Sequence, residues 1–230
     1  MAQQGFCDPH VHTTFSDGRH SPEDVVDAAA RLPRLDTLAI TDHDCIEGAR
    51  EAARYVKSSG AALNVIVGEE VTSRDGHIVG LFLHELVSRD MSAQDTIRAI
   101  HEQGGLAIAV HPFRFPGREG VADLAASEPF DAVEFLNGAP TPRTRAANRR
   151  TARLDLRGKA LTGGSDAHIK ELVAVCSTAF PGSGPSDFRE ALLHARTWPV
   201  RRRVNPLPYL RYAAMKVARH PRALRELWPL

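Results

Sequence analysis

Histidine and carboxylate side chains recur in this sequence at short spacings that suit metal binding. His10 and His12 lie two residues apart in D-P-H-V-H, and Asp166 and His168 repeat that spacing in G-G-S-D-A-H. Residues two apart on an extended strand point to the same face, so each pair presents two donors together. The complete set of candidate ligands is His10, His12, Asp17, His43, Glu70, His77, His111, Asp166 and His168.

Predicted strands and helices alternate along the chain and must position these residues. The predicted strands are 5–12, 35–41, 63–71, 78–83, 106–111, 132–136, 159–162 and 173–179, and a turn at 74–76 pairs the third with the fourth. The predicted helices are 23–31, 47–59, 93–103, 144–154 and 186–196, with Ser21 and Ser92 as N-caps and Gly60 as a C-cap. This alternation favours a closed, irregular (β/α) barrel. No G-x-G-x-x-G follows the first strand, which argues against a dinucleotide-binding sheet.

The candidate ligands fall at or just beyond the ends of predicted strands. In a (β/α) barrel those ends meet at one mouth, where active sites are built. Imidazole mixed with carboxylate suits Zn²⁺, Mn²⁺ or Fe²⁺, and nine ligands exceed what one tetrahedral site uses. We therefore expect two or three divalent metal ions in one pocket. His84, His101, His194 and His220 lack this placement and are expected at the surface or in packing.

The composition is that of a globular protein. The chain has 230 residues, 43% hydrophobic and 25% charged, which is enough for one sizeable core. Three widely spaced cysteines favour a reducing cytoplasm over a disulfide scaffold. No apolar run approaches the ~20 residues of a membrane span. The N-terminus lacks the basic and apolar regions of a signal peptide.

The last thirty residues differ from the rest in charge and aromatic content. Residues 201–230 hold seven arginines and one lysine against one glutamate. We expect residues 1–198 to form the barrel domain and residues 199–230 a basic extension, with a linker over 199–208 and an amphipathic helix over 207–219. The charge suits an anionic partner or a solvated helix face. The aromatic residues Trp198, Tyr209, Tyr212 and Trp228 predict that the extension packs on the barrel.

Six motifs resemble, in order, those of the PHP (polymerase and histidinol phosphatase) family. They are D-P-H-V-H-T-T-F-S-D-G, I-T-D-H-D, V-G-E-E-V-T, G-H-I-V-G, A-V-H-P-F and G-G-S-D-A-H, which together cover about residues 5–180. The resemblance implies a distorted (β/α)7 barrel, here with a short C-terminal helical extension, that holds up to three divalent metals. It also implies a metal-dependent phosphoesterase. The S-D-G variant resembles the broad branch that includes nucleotide and nucleoside-bisphosphate phosphatases.

The resemblance also divides the nine ligands among three metals. One metal would take His10, His12, Glu70 and Asp166; a second would share Glu70 and add His77 and His111; a third would take Asp17, His43 and His168. Glu70 is preferred to Glu69 as the bridge because the family pattern is Gly-x-Glu, and Glu69 then points to the opposite face. A hydroxide that bridges two metals is the expected nucleophile. His43, His168 or Asp166 are candidate proton relays, although a metal-bound water is favoured because a ligated imidazole is a poor base.

The expected substrate is a small phosphate ester, such as a nucleotide, a nucleoside bisphosphate or a similar phosphomonoester, or else an oligonucleotide. Arginine binds two phosphate oxygens at once. The candidate substrate ligands are Arg114, Arg118, Arg143 and its neighbour Arg145 in two mouth loops, together with His20. Three alternatives stay open: an amidohydrolase-like enzyme that cleaves C–N bonds, a polymerase-associated nuclease or nucleic-acid-binding module that uses the basic extension, and an inactive scaffold.

Overall fold

The computed structural model describes residues 3–115, 119–139, 141–203, 207–210 and 212. The strands are β1 (Gln4–Asp8), β2 (Thr37–Ile40), β3 (Asn64–Ser73), β4 (Gly76–Leu81), β5 (Leu106–Ala109), β6 (Ala132–Asn137), β7 (Ala160–Gly164), β8 (Cys176–Pro181) and β9 (Trp198–Arg201). The helices are α1 (Pro22–Ala30), α2 (Glu47–Ser59), α3 (Ala93–Glu102), α4 (Leu124–Ser127), α5 (Pro142–Thr151) and α6 (Gly184–Leu193), and Lys170–Leu172 form a 3-10 turn. The strand order in the sheet is β7-β6-β5-β4-β3-β2-β1-β8-β9.

The sheet curls into the expected distorted (β/α)7 barrel, and two of its nine described strands, β4 and β8, run opposite to the rest. Strands β1, β2 and β3 pair in parallel, as do β5, β6 and β7, whereas β4 is antiparallel to both β3 and β5. The reversal follows from the predicted turn, across which Ser73 pairs with Gly76. His77 therefore reaches the mouth from the start of a strand, which corrects the expectation that every ligand lies at a strand end.

The barrel closes at the mouth through the residues that follow β1 and β7. The His12 N–H donates to the Ala167 carbonyl at 2.9 Å, and the Asp166 N–H donates to the His10 carbonyl at 2.9 Å. Backbone bonding between extended segments sets which side chains share a face. The closure thereby holds both ligand pairs, one after each strand, side by side at the mouth.

A buried carboxylate at the end of β1 secures the same closure. Asp8 accepts the N–H groups of Ser165 at 3.0 Å and of Ala174 at 2.7 Å. Burial raises the pKa of Asp8 to about 6, against the lowering effect of these hydrogen bonds. Asp8 therefore joins β1 to the segment after β7 and to the segment before β8.

Helix α6 plugs the end of the barrel opposite the mouth. It contacts β1, β3, β7 and β8. Its buried residues Phe188, Ala191 and Leu192 join the apolar cluster that fills the barrel, to which the strands contribute Cys7, Ala39, Ile66, Val79, Leu81, Leu106, Ile108, Ala132, Ala160 and Phe180. The rings of Phe188 and Phe180 are tilted with centroids 5.1 Å apart, an arrangement that aromatic pairs favour.

The start of the C-terminal extension belongs to the sheet. Residues 199–201 are not the predicted linker, because β9 pairs antiparallel with β8 and places Pro199 opposite Thr178. Proline is tolerated there because β9 is the last strand in the sheet order. Of the predicted helix over 207–219, the structure describes residues 207–210 and Tyr212, which are helical. The domain boundary at residue 198 stays a prediction. Within the described parts of the chain, no helix combines the length and the apolarity that a membrane crossing needs.

Phe188→Ala is expected to lower the free energy of unfolding by about 3–5 kcal/mol, because it removes a buried ring and leaves a cavity under the barrel. Leu193→Ala on the same helix is the matched control. Leu193 is 50% exposed, so this change should cost only about 1 kcal/mol. Urea denaturation followed by circular dichroism measures both, and equal losses would contradict the role of α6 as a plug.

Candidate metal centre

The carboxylate of Glu70 lies at the centre of the mouth and is surrounded by imidazoles. Glu70 is 1% exposed and lies within β3. Five histidine nitrogens lie within 3.4 Å of its oxygens: His77 Nδ1 at 2.9 Å and His111 Nε2 at 3.0 Å from Oε1, and His10 Nε2 at 3.2 Å, His12 Nε2 at 3.2 Å and His43 Nδ1 at 3.4 Å from Oε2. A carboxylate has about four lone-pair sites. Hydrogen bonding to Glu70 alone therefore does not account for five imidazoles at this distance.

Asp166 adds a second buried carboxylate beside the same histidines. Its Oδ1 lies 3.3 Å from His12 Nε2 and 3.8 Å from His10 Nε2. Its Oδ2 is ion-paired with Arg114 and accepts a 3.3 Å hydrogen bond from Asn137 Nδ2. Burial opposes ionisation, but the positive charge of Arg114 holds the pKa of Asp166 well below its usual value. Asp166 is therefore a carboxylate, the form that binds a metal.

Asp17, His43 and His168 form the outer rim of the site. His168 Nδ1 lies 2.9 Å from the Asp166 carbonyl oxygen, which can only accept, so Nδ1 carries the proton. His168 Nε2 lies 3.0 Å from Asp17 Oδ2. These two atoms are close enough to ligate one cation together. The side chains of Asp17 and His43 are 53% and 25% exposed, so a substrate from solvent meets this rim first.

Two of the candidate ligands hold unusual backbone conformations. His111 has a φ of +30° and Asp166 a φ of +52°. Positive φ is uncommon for residues other than glycine and persists only where the surrounding structure enforces it. Both residues follow a barrel strand, β5 and β7 respectively. The bend at each point therefore stores local strain at the mouth where the ligands meet.

The ligand atoms of this centre fit divalent cations. They form three groups whose atoms lie within 4.8 Å of one another: His12, Asp17, His43 and His168; His10, His12 and Glu70; His43, Glu70 and His77. His12 Nδ1, His12 Nε2, His111 Nδ1 and Asp166 Oδ1 are buried without a hydrogen-bond partner. Burial lowers the pKa of His43 and of His111, which favours the neutral imidazole that ligates metals. For His10, His12 and His77, burial is outweighed by the neighbouring carboxylates, which raise the pKa.

Glu134 and Asn137 hold residues of the metal centre in place, although the sequence did not predict this role. Glu134 Oε1 lies 3.0 Å from His10 Nδ1, and its Oε2 accepts the N–H of His111 at 2.9 Å and the Asn137 amide at 2.8 Å. A carboxylate on the far nitrogen of a ligand histidine fixes its tautomer and ring orientation. Glu134 thus turns Nε2 of His10 towards Glu70. The only sequence signal is a single acid in the apolar strand A-V-E-F-L.

Asp42 and Tyr212 also lie at the mouth without having been predicted there. Asp42 accepts the Thr13 N–H at 2.7 Å and the Thr13 hydroxyl at 2.6 Å, which holds the loop that leads to Asp17. Tyr212 is 9% exposed, and its ring centroid lies 6.0 Å from that of His168. Burial raises the pKa of Tyr212, so its hydroxyl keeps its proton. This residue brings the C-terminal extension to the rim, as its aromatic content predicted.

Glu69 lies on the opposite face of β3 from Glu70, as expected. Its carboxylate accepts the N–H of Val87 at 2.9 Å. Burial raises the pKa of Glu69 to about 7. The two neighbouring acids therefore differ in surroundings: one faces the histidines, and the other supports a loop outside the barrel.

Arg114, a predicted substrate ligand, is bonded within the protein. Its Nε lies 2.6 Å from Glu119 Oε2, and its Nη1 pairs with Asp166. Burial opposes the charge, but these carboxylates raise the pKa of Arg114. The guanidinium thus neutralises a ligand carboxylate, and its contact with substrate stays a prediction. Arg118, predicted alongside it, lies outside the described residues.

Arg143 and His20, the other predicted substrate ligands, have partners of their own. The guanidinium carbon of Arg143 lies 5.0 Å from the centroid of the Phe115 ring, within the range of a cation–π contact. His20 Nδ1 accepts the N–H of Lys170 at 3.3 Å, two residues beyond His168. Both residues therefore lie on segments next to the mouth, and their contact with substrate stays a prediction.

Parts of this chain are similar in sequence to known proteins. The 5′-3′ exoribonuclease Rnm of Salmonella typhimurium is 38% identical over 125 residues, which cover 51% of this chain and 42% of that protein. The 3′,5′-nucleoside bisphosphate phosphatase of Chromobacterium violaceum is 46% identical over 79 residues, which cover 32% of this chain and 26% of that protein. The matches thus span less than half the length of either relative.

The fold and the family agree with the motifs. A solved structure from Bacteroides vulgatus, described as a two-domain protein containing a predicted PHP-like metal-dependent phosphoesterase, matches with a TM-score of 0.66 at 21% identity. The match covers 91% of this chain and 69% of that one. Residues 8–192 match the family model of the PHP domain, a range that includes all nine candidate ligands. The chain therefore belongs to the PHP family of metal-dependent phosphoesterases.

Proposed function

We propose that this chain hydrolyses a small phosphate ester of the nucleotide type at a centre of two to three divalent metal ions. The observation that carries the proposal is a buried carboxylate, Glu70, among five imidazoles. The nucleotide class is supported by two relatives whose names describe a bisphosphate phosphatase and an exoribonuclease. Mn²⁺, Zn²⁺ or Fe²⁺ are the proposed metals, because a mixed imidazole and carboxylate set suits them.

Three ligand sets are proposed to hold the metals, and the first two share Glu70. They are His10, His12, Glu70 and Asp166; Glu70, His77 and His111; and Asp17, His43 and His168. When bound, divalent cations lower the pKa of a coordinated water and stabilise the charge that develops on phosphoryl oxygens. Asp17, Glu70 and Asp166 supply three negative charges, fewer than two or three such cations carry. The pocket is therefore attractive to a phosphate dianion.

The protein's own groups orient the substrate and hold protons. The deep carboxylates Glu70 and Asp166 stay ionised and keep the ligand set together. His43 and His168 lie at the rim, and either is proposed to pass a proton to the leaving oxygen of the ester.

A second candidate function is the stepwise hydrolysis of RNA from its 5′ end. The exposed run Arg201, Arg202 and Arg203 presents positive charge of the kind that attracts a nucleic-acid backbone. The relative named as an exoribonuclease supports it. Family membership argues against the C–N hydrolase alternative. Cytoplasmic localisation, expected from the cysteine pattern, stays a prediction.

Release of phosphate is expected only from the metal-loaded protein. The protein is stripped with a chelator, reloaded with Mn²⁺, Zn²⁺ or Fe²⁺, and offered AMP, adenosine 3′,5′-bisphosphate, histidinol phosphate, an aryl phosphate and a 5′-phosphorylated oligonucleotide. At least one loaded form should exceed the stripped form by about 100-fold, since the metals supply most of the charge stabilisation. No release from protein that contains at least two metals per chain would contradict the proposal.

Glu70→Gln is expected to lower kcat/KM by about 10²–10³-fold and to reduce the metal content, because it removes the charge at the centre of the ligand set. Glu69→Gln is the matched control: it changes the neighbouring acid on the opposite face of β3 and should keep the metal content. Elemental analysis of purified protein and initial rates give both quantities. A Glu70→Gln protein with full metal content and full activity would refute the bridging role of Glu70.

A further inference from the structure

Apart from the metal centre, the structure has a second cavity, next to the end of β6. It is lined by Gly138, Ala139, Thr141, Arg145, Arg201 and Tyr209. Its volume is about 270 Å³, several times the ~30 Å³ that one water molecule occupies in the liquid. The cavity therefore has room for a phosphate group together with some of its water.

The charged lining of this cavity is entirely positive. Arg145 and Arg201 supply two guanidinium groups, and no acidic side chain is among the described residues that line it. Both arginines are exposed, so their charge is accessible to a ligand. Burial raises the pKa of Tyr209, which keeps its hydroxyl available as a donor. Two guanidinium groups without a carboxylate create a site that favours an anion.

The helix that carries Arg145 strengthens this preference. Helix α5 contains four arginines and no acidic residue, and its N-cap is Thr141, one of the lining residues. The N-terminus of a helix carries a partial positive charge. The start of α5 and the two guanidinium groups therefore both make the electrostatic potential in the cavity more positive.

Asn137 links the cavity to the metal centre. Its side-chain amide donates to Asp166 Oδ2 at 3.3 Å, and its backbone carbonyl accepts a bond from Arg201 Nη2 at 3.2 Å. The next residue, Gly138, packs so closely on the segment that carries Asp166 that a Cβ there would lie 2.9 Å from the Ser165 carbonyl oxygen. One residue of chain thus separates a ligand carboxylate from the anion-favouring cavity.

We propose that the cavity formed by Arg145, Arg201 and Tyr209 binds a second phosphate of the substrate, and so selects phosphate esters that carry two phosphate groups. This inference rests on the proposed phosphoesterase function. The reacting phosphate lies on the metal centre while the second phosphate lies in the cavity. Guanidinium groups bind phosphate oxygens through paired, charge-assisted hydrogen bonds. Nucleoside bisphosphates and 5′-phosphorylated oligonucleotides share this chemistry.

The test compares kcat/KM of the metal-loaded protein for adenosine 3′,5′-bisphosphate and for AMP. Arg145→Gln is expected to lower the ratio of the two values by about 10-fold, because it removes a charged hydrogen-bond donor that only the second phosphate uses. Arg153→Gln is the control, since Arg153 is exposed just beyond α5 and is not a lining residue. It should leave the ratio unchanged. An unchanged ratio in Arg145→Gln would refute the subsite.

Two further measurements show which diphosphorylated ligand the cavity binds, and whether the subsite exists independently of the proposed phosphoesterase function. A 5′-phosphorylated dinucleotide takes the place of the bisphosphate, and the larger loss in Arg145→Gln identifies which of them the cavity serves. If no ester is turned over, calorimetric titration of adenosine 3′,5′-bisphosphate into the same proteins decides. Binding about 10-fold weaker in Arg145→Gln than in Arg153→Gln would support the subsite while the proposed function fails. Equal affinities would refute the subsite as well.

Discussion

The rest of this structure depends on one buried carboxylate that five imidazoles surround. An ionised group away from water is costly unless opposite charges and hydrogen bonds compensate for it. Burial alone would raise the pKa of Glu70, but the histidines around it hold that pKa well below its usual value. The same crowding leaves both nitrogens of His12 without a hydrogen-bond partner. A cation between the imidazoles and the carboxylate would compensate for the buried charge and give the lone pair of one His12 nitrogen a partner.

The barrel is arranged to keep those side chains in place. Its closure bonds the chain after β1 to the chain after β7, so that donors 150 residues or more apart become neighbours. Two further buried acids each fix a part of the mouth: Asp8 joins the strand ends, and Glu134 orients His10. The end of β6 lies between the metal centre and the second cavity, since Asn137 bonds to Asp166 on one side and to Arg201 on the other. Metal binding and substrate selection would thus share the end of one strand.

The local elements and the clustering of the candidate ligands could be predicted from the sequence because their signals are local. Ser21 and Ser92 cap α1 and α3 as expected, and Gly60 ends α2 in the left-handed conformation. The motifs placed the candidate ligands on strand ends, and a barrel brings such ends together. Strand β9 was not predicted because a proline such as Pro199 usually indicates a loop. Proline is compatible with a strand at the edge of a sheet, and the sequence does not show that β9 lies there. The hydrogen bond between Glu134 and His10 joins residues 124 positions apart, and no local sequence pattern predicts it. The ion pair between Arg114 and Asp166 could not be predicted for the same reason.

The most direct test of the central claim is anomalous diffraction from crystals grown with Mn²⁺, measured on both sides of the manganese absorption edge. The account predicts two or three manganese peaks at the barrel mouth, with Glu70 ligating two of them and His10, His12, His77 and His111 ligating from around it. Peaks only at surface carboxylates, or a mouth without manganese at saturating concentration, would contradict it.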